Sequence, residues 1–368
     1  MKTPVPALVL GTRPEIIKLA PVAHEMARQR LPFTLIHTGQ HYSFNMSHIF
    51  LEQLGLRRKI IFLNIGGGSQ ARQTARALVG LEKLFCRTRP SCVIVEGDTN
   101  TVLAGALSGC KLGIPVAHVE AGLRSYDLRM PEEYNRRITD HISTLLFAPT
   151  KGNQATLLAE QVPGKTFMTG NTVIDACKRN MPLALRRSRI MKELCLDKNG
   201  YALATIHRAE NVDDPGTLAG LISIFDGCPL PVILPLHPRT VKRARQFGLW
   251  RRICSSRNIR VVPPAGYWDF LVLMKNSGFL LSDSGGIQEE VTAQNIRRMC
   301  FVLRTSTERQ EAVSAGFARM AGVEPGFALK AIGEWWDGGA RVPQKKSPFG
   351  DGRAAQRIVR ILNNNEYC

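Results

Sequence analysis

Short apolar runs alternate with stretches of helical period along most of the chain. Ala7–Leu10 is apolar and stops at Gly11, and helical periodicity follows over Glu15–Arg28. Phe33–His37 is a second short run, and Met46–Leu54 reads as helical. Cys92–Val95 runs into Glu96-Gly97-Asp98, Thr101–Leu107 is small and helix-friendly, and Pro115–Val119 runs into Glu120-Ala121-Gly122. Apolar runs this short, regularly separated by helices, predict a parallel sheet covered on both faces.

Between Asn171 and Asn199 the pattern changes. That stretch is helical and basic (Lys178, Arg179, Arg186, Arg187, Arg189, Lys192), contains Pro182, and reads as the connection between two domains. A second alternation then begins, with Tyr201–Ile206, Pro231–Pro235, Ile259–Val262, Phe279–Leu281 and Cys300–Leu303 as its strands. At roughly 100–200 residues per domain, the length suits two α/β doubly wound domains. Their expected bounds are 1–172 and 173–352, with a closing helix over Gly352–Leu362 and the segment 353–368 returning to the first domain. Ligands of such sheets bind at the carboxyl ends of the strands, so two facing sheets would place a substrate in the cleft between them.

Composition narrows the class. The chain is 44% hydrophobic and 21% charged, enough for a full core in each half and unlike a disordered or collagenous chain. Lys plus Arg is 49 against 30 Asp plus Glu, a formal net charge of +19. That charge suits either a polyanion binder or a basic surface around a site for an anionic metabolite. The basic residues are dispersed, with only short clusters such as Arg57-Arg58-Lys59 and Lys242-Arg243-Ala244-Arg245, and no aromatic-interleaved stripe. The metabolite reading is favoured, with no nucleic-acid partner. Nine cysteines, an odd number without C-x-x-C, read as thiols in a reducing compartment rather than disulfides or a metal cluster. Met1-Lys2 leads straight into a strand with no signal-peptide pattern, and no apolar run is long enough to span a bilayer. A cytoplasmic location without a membrane partner is therefore expected.

Polar residues at the strand ends carry the candidate chemistry. In Gly11-Thr12-Arg13-Pro14-Glu15, the glycine allows a tight turn, a helix N-terminus offers N–H groups to an anion, and Arg13 can clamp phosphate, with Lys18 one turn further on. An ordinary turn with Pro14 at a first helical position fits the same residues. Asp98, Glu120 and Glu132 follow successive strands and suit acid/base chemistry. Each also has a plain structural role open to it: helix N-cap for Asp98, ion pair with Arg124 for Glu120, and helix start after Pro131 for Glu132. In the second half, His207 ends the first strand and His237-Pro238-Arg239 closes the next. Ser284, Gly285 and Gly286 then join a strand to a helix in a way that presents backbone N–H groups to a diphosphate. Glu290 falls one turn into that helix, where a carboxylate can accept from two ribose hydroxyls, and Thr307-Glu308-Arg309 adds another phosphate-side arginine.

The chain strongly resembles the non-hydrolysing UDP-N-acetylglucosamine 2-epimerases. The resemblance rests on Gly-Thr-Arg-Pro-Glu (11–15), Gly-Asp-Thr (97–99), His-Val-Glu-Ala-Gly-Leu-Arg (118–124), Pro-Glu-Glu-x-Asn-Arg (131–136) and Gly-Asn-Thr-Val-Ile-Asp (170–175). His-Arg (207–208), Asp-Ser-Gly-Gly-Ile-Gln-Glu-Glu (283–290) and Thr-Glu-Arg (307–309) complete it. It implies a GT-B fold, two Rossmann-like doubly wound domains facing across a cleft, a UDP-sugar substrate, no metal or other cofactor, and a homodimer serving cell-surface polysaccharide synthesis. It implies catalytic roles for Asp98, Glu120, Glu132 and His207. It implies UDP contacts for Arg13, Lys18, Arg136, Phe270, Ser284, Gly285, Gly286, Glu290 and Arg309, although Phe270 reads equally well as core. Three stretches depart from the family. Asn295–Cys300 replaces a shorter Gly-containing turn, and Gln310 stands where Pro is usual. Gln40–Ser47 differs from relatives activated by their own substrate and resembles those acting on modified UDP-hexosamines.

The chemistry implied is demanding. C2 of a hexosamine has no adjacent carbonyl to stabilise a carbanion, so direct deprotonation is slow. Elimination of UDP across C1–C2 to a glycal, then re-addition with protonation on the other face, avoids that barrier. It requires a base, an opposite-face acid and a firm hold on the departing diphosphate. No glycine-rich dinucleotide fingerprint is present, which agrees with a reaction needing no NAD. A hydrolysing epimerase, a GT-B glycosyltransferase and a non-catalytic nucleotide-sugar binder remain as rival readings.

Overall fold

In the computed structural model, residues 4–39, 50–56, 60–236 and 238–364 are described. The expectations for Gln40–Ser47, the first part of Met46–Leu54, Arg57-Arg58-Lys59, His237 and Cys368 lie outside the described residues. The chain divides into two units, Met1–Ala176 with Phe349–Cys368, and Cys177–Pro348.

The first unit is built on β1 (Ala7–Leu10), β2 (Thr34–His37), β3 (Ile60–Phe62), β4 (Val93–Glu96), β5 (Val116–Val119), β6 (Leu145–Ala148) and β7 (Lys165–Met168), in the order β3-β2-β1-β4-β5-β6-β7. Every pairing is parallel. The central strands are buried along their whole length, which is why they read as unbroken apolar runs. The helix Asn100–Lys111 lies close on the sheet because its small residues permit it: a Cβ on Gly105 would come 2.9 Å from Val95. The helix Ala354–Asn364 packs on the helix Arg13–Arg28. Its first N–H groups, from Ala354 and Ala355, donate to Asp175 at 3.1 and 3.0 Å.

The second unit carries β8 (Ala202–Thr205), β9 (Val232–Pro235), β10 (Ile259–Val262), β11 (Phe279–Ser282), β12 (Cys300–Val302) and β13 (Ala318–Met320), in the order β10-β9-β8-β11-β12-β13, again all parallel. Its core includes Phe279 and Phe301, packed edge to face at 5.4 Å, with Trp335 against both rings. The unusual stretch Asn295–Cys300 turns at Arg297, which takes φ +48°, a conformation easier for glycine. Lys275 Nζ donates to Asn295 O at 2.7 Å and helps hold that turn.

In each sheet the strand order reverses beside its central strand, between β1 and β4 in the first and between β8 and β11 in the second. Carboxyl ends at such reversals are where doubly wound sheets bind ligands.

Candidate functional site

Three loops at the carboxyl ends of β1, β4 and β5 carry the first set of polar groups. Gly11 has no room for a side chain, since a Cβ there would collide with the hydroxyls of Thr38 and Thr101. Thr12 caps the helix that follows, and Glu15 closes a capping box. The Glu15 carboxylate accepts from the N–H groups of Gly11 and Thr12, the latter at 3.0 Å, and from the Thr99 hydroxyl. Burial pushes this carboxyl up to about 7 against those hydrogen bonds. Arg13 has its guanidinium carbon 4.6 Å from the centre of the Phe50 ring.

One turn along, buried Lys18 donates to Glu120 Oε2 and lies 3.4 Å from Glu96 Oε1. The Asn171 amide donates to the same Glu120 oxygen at 2.7 Å. Glu120 itself has φ +71°, the left-handed region that a residue with a side chain enters at a cost of about 1–3 kcal/mol. That conformation directs its carboxylate back to Lys18 and Asn171. Asp98 accepts from Arg136 Nη2 at 2.5 Å, and Asn135 donates to the Asp98 carbonyl at 2.9 Å. Arg136 Nη1 reaches Glu133 at 2.5 Å. Glu133 also accepts from the N–H and hydroxyl of Ser125, each at 2.9 Å. Burial alone would raise its carboxyl, but Ser125 and Arg136 bring it below the ordinary range. Of the two adjacent acids opening the helix Pro131–Ile142, Glu133 is the buried anchor and Glu132 is partly exposed.

In the second unit, the register that sets Thr205 beside Ser282 brings Asp283 next to the loop after β8. Asp283 is fully buried, and its Oδ2 accepts from the N–H groups of His207 and Arg208 at 2.9 Å each and from Asn211 Nδ2 at 3.1 Å. His207 Nδ1 lies 3.0 Å from Asp283 Oδ1, on a side chain 47% exposed. Burial favours a neutral Asp283, but His207 and the two backbone N–H groups hold it below the usual carboxylate range. The imidazole therefore stands beside a buried carboxylate while its ring remains accessible.

Ser284 stands at the N-cap position of the short helix Gly285–Glu290, without a side-chain capping bond. A Cβ at position 285 would come 2.7 Å from Glu308 Oε1, so a side chain there would have to displace that carboxylate. Arg309 is held by Glu289 at 2.6 Å and Glu308 at 3.2 Å, and Glu308 also meets Arg304 at 2.9 Å and Arg208 at 3.6 Å. Three guanidinium groups therefore gather around Glu308. Glu290 is buried and hydrogen-bonded to Tyr267, whose hydroxyl is pushed well above its usual value by burial, then by Cys177 and Glu290. Phe270 is buried in the helix Tyr267–Asn276.

The structure thus brings Lys18 onto Glu120, Arg136 onto Asp98, and Gly285 and Arg309 onto one acidic pair. Sequence reasoning gave no role to Glu15, Glu133, Asn171 or Asp283. The position of Asp283, first after an apolar strand and before Ser-Gly-Gly, was a usable signal. Among the described residues, no three His, Cys, Asp or Glu side chains converge in a way that could hold a metal ion. No helix there is long and apolar enough to cross a membrane.

A family model for UDP-N-acetylglucosamine 2-epimerase matches residues 24–363. The chain is 42% identical to a UDP-N-acetylglucosamine 2-epimerase of Methanocaldococcus jannaschii, covering 98% of this chain and 99% of that protein. It superposes on the crystal structure of the M. jannaschii UDP-GlcNAc 2-epimerase in complex with UDP-GlcNAc and UDP, with a TM-score of 0.91 over 98% of this chain and 99% of that one, at 42% identity. It is also 35% identical to the UDP-2,3-diacetamido-2,3-dideoxy-D-glucuronate 2-epimerase of Pseudomonas aeruginosa, over 96% of this chain and 98% of that protein.

Proposed function

Since this chain belongs to the UDP-N-acetylglucosamine 2-epimerase family, we propose that it interconverts UDP-N-acetylglucosamine and UDP-N-acetylmannosamine by eliminating and re-adding UDP through a 2-acetamidoglucal. It is an isomerase with a GT-B fold. The observation that carries the substrate reading is the full-length likeness to a protein solved with UDP-GlcNAc and UDP.

On this reading the electrons of the C2–H bond form the C1=C2 double bond as the C1–O bond breaks and its pair leaves with the diphosphate. The proton passes to one of the carboxylates Asp98, Glu120 and Glu132 or to His207. On return, a proton from a different group reaches the other face of C2 while UDP re-adds at C1. Glu120 and Asp98 suit the task because each is held by a cation, Lys18 and Arg136, and so keeps one orientation through the cycle. On this reading those two cations, with Arg13 and Arg309, are the groups that offset the charge developing on the leaving diphosphate. Ser284, Gly285 and Gly286 supply hydroxyl and N–H donors, Glu290 accepts from the ribose, and Phe270 flanks the uracil. The enzyme acts in the cytoplasm as a homodimer and supplies an amino-sugar nucleotide for cell-surface polysaccharides. It uses no metal or redox cofactor and takes no nucleic-acid or membrane partner.

A second substrate has support in the likeness to the P. aeruginosa diacetamido-glucuronate epimerase. Incubation with each UDP-sugar, followed by anion-exchange separation, decides between them. The proposal expects UDP-N-acetylmannosamine from UDP-N-acetylglucosamine. Turnover of the diacetamido uronate alone moves the substrate, and free N-acetylmannosamine with stoichiometric UDP makes the enzyme a hydrolase.

A further inference from the structure

His118 and Asp140 belong to none of the groups above, and both side chains are completely enclosed. His118 lies near the end of β5, in register with Val95 of β4. Its Nε2 is 2.8 Å from the Gly97 carbonyl, the residue before Asp98. Its Nδ1 is 2.7 Å from Asp140 Oδ1. The other Asp140 oxygen accepts from Arg124 Nη1 at 2.7 Å and from the N–H of Gly122, two residues after Glu120, at 3.2 Å. Arg124 is completed by a two-pronged contact with Glu160 at 2.9 and 2.6 Å. One imidazole and one carboxylate therefore join the loop that carries Asp98 to the loop that carries Glu120.

These loops need bracing. Gly97, Glu120 and Gly122 all lie at positive φ, +85°, +71° and +84°. Gly122 admits no side chain, because a Cβ would collide with the Asn153 carbonyl. The loops thus hold conformations that an ordinary backbone leaves readily, and Glu120 adds the strain of its own side chain. We infer that His118 and Asp140 are positioning residues for the proposed reaction, locking the two carboxylate-bearing loops to one another so that Asp98 and Glu120 keep a fixed separation. This rests on the reading of Asp98 and Glu120 as acid/base groups. Because both side chains are fully enclosed, they act through the loops and never on the sugar.

The hydrogen-bond bookkeeping supports a rigid link. A carbonyl only accepts, so His118 Nε2 donates to Gly97. Burial would raise the Asp140 carboxyl, but His118 and Arg124 hold it below the usual range, so it too is an acceptor. Each ring nitrogen therefore has its own partner, Gly97 O on one side and Asp140 Oδ1 on the other. A buried network with every member partnered keeps one geometry.

The test is Asp140→Asn and His118→Phe in the full chain, assayed beside Asp98→Asn and Glu120→Gln. The amide keeps the shape and an acceptor for Gly122 but removes the charge that fixes the ring. Misplacing catalytic groups by about 1 Å costs about 10²-fold, so kcat should fall by about that factor in Asp140→Asn. KM and UDP affinity should stay within about threefold, because the nucleotide contacts are assigned to other residues. In the ¹⁵N spectrum, the His118 ring nitrogen that faces position 140 should change its shift in Asp140→Asn, while the nitrogen on the Gly97 carbonyl keeps its own. A lower melting temperature with kcat unchanged makes the pair merely structural and overturns the inference. If His118→Phe fails to fold, Asp140→Asn decides by the same kcat and ring-nitrogen readouts. Loss of turnover in Asp98→Asn and Glu120→Gln with normal turnover in Asp140→Asn overturns this inference alone. Normal turnover in all of them overturns the acid/base reading as well.

Discussion

Glu15→Gln isolates the cost of ionising a carboxyl inside the β1 loop. In the folded protein this group is fully enclosed and titrates near 7, because burial outweighs the hydrogen bonds from Thr99, Thr12 and Gly11; its ordinary value is 4.5. Between those values the folded state keeps a proton that the unfolded chain has released. Stability from this group is therefore fully present below the unfolded value, falls as pH rises toward 7, and levels off above it. The interval corresponds to about 3 kcal/mol in total, of which about 2.5 kcal/mol is lost between about pH 5 and about pH 8. The glutamine side chain stays neutral throughout and keeps an oxygen for the N–H groups of Gly11 and Thr12. Urea unfolding of parent and variant at the two pH values measures the difference directly. The parent should lose about 2.5 kcal/mol more than the variant on going from the lower pH to the higher. Parallel losses in the two proteins would mean that Glu15 ionises in the folded state as easily as in the unfolded chain, and the argument from burial would be wrong.

Three further outcomes follow from the site. Asp98→Asn, Glu120→Gln and Glu132→Gln should each lower kcat by about 10²–10⁴-fold while leaving UDP binding nearly intact, as read by steady-state kinetics and calorimetry. Glu290→Ala should weaken UDP by about 1.5–3 kcal/mol and spare inorganic pyrophosphate, whereas Arg309→Ala should weaken both; equal UDP binding by Glu290→Ala would remove the ribose assignment. Activity should survive EDTA and need no added NAD, and restoration of a chelated enzyme by a divalent ion would contradict the cofactor-free reading.

Much of the fold was legible because a strand buried on both faces leaves an unbroken apolar run. Ala7–Leu10, buried throughout, begins and ends where the pattern places it; Ile259–Val262 also keeps its expected bounds, although it is an edge strand with Arg260 exposed. Lys165–Met168, whose end residues are exposed at the sheet edge, and the three-residue strands Ile60–Phe62 and Ala318–Met320 are not among the expected strands. Leu145–Ala148 is not among them either, although that run is fully apolar. At the site, strand ends point to positions but not to partners. Lys18 and Glu120 stand 102 positions apart, and nothing local in the sequence pairs them. The choice between Glu132 and Glu133 depends on how one helix is rotated, which the Pro-Glu-Glu run does not specify. Asp283 was visible as part of a motif, but its grip on the His207 loop follows from the pairing of β8 with β11.

The central claim is that C2 loses and regains its proton while UDP leaves and returns. Incubation with UDP-N-acetylglucosamine in D₂O, followed by proton NMR at C2, tests it most directly. The account predicts a UDP-N-acetylmannosamine product that carries deuterium at C2, with deuterium also accumulating at C2 of the remaining substrate as the reaction reverses. Epimerised product that retains the original C2 proton, or a protein that leaves C2 of both UDP-hexosamines untouched, would contradict it.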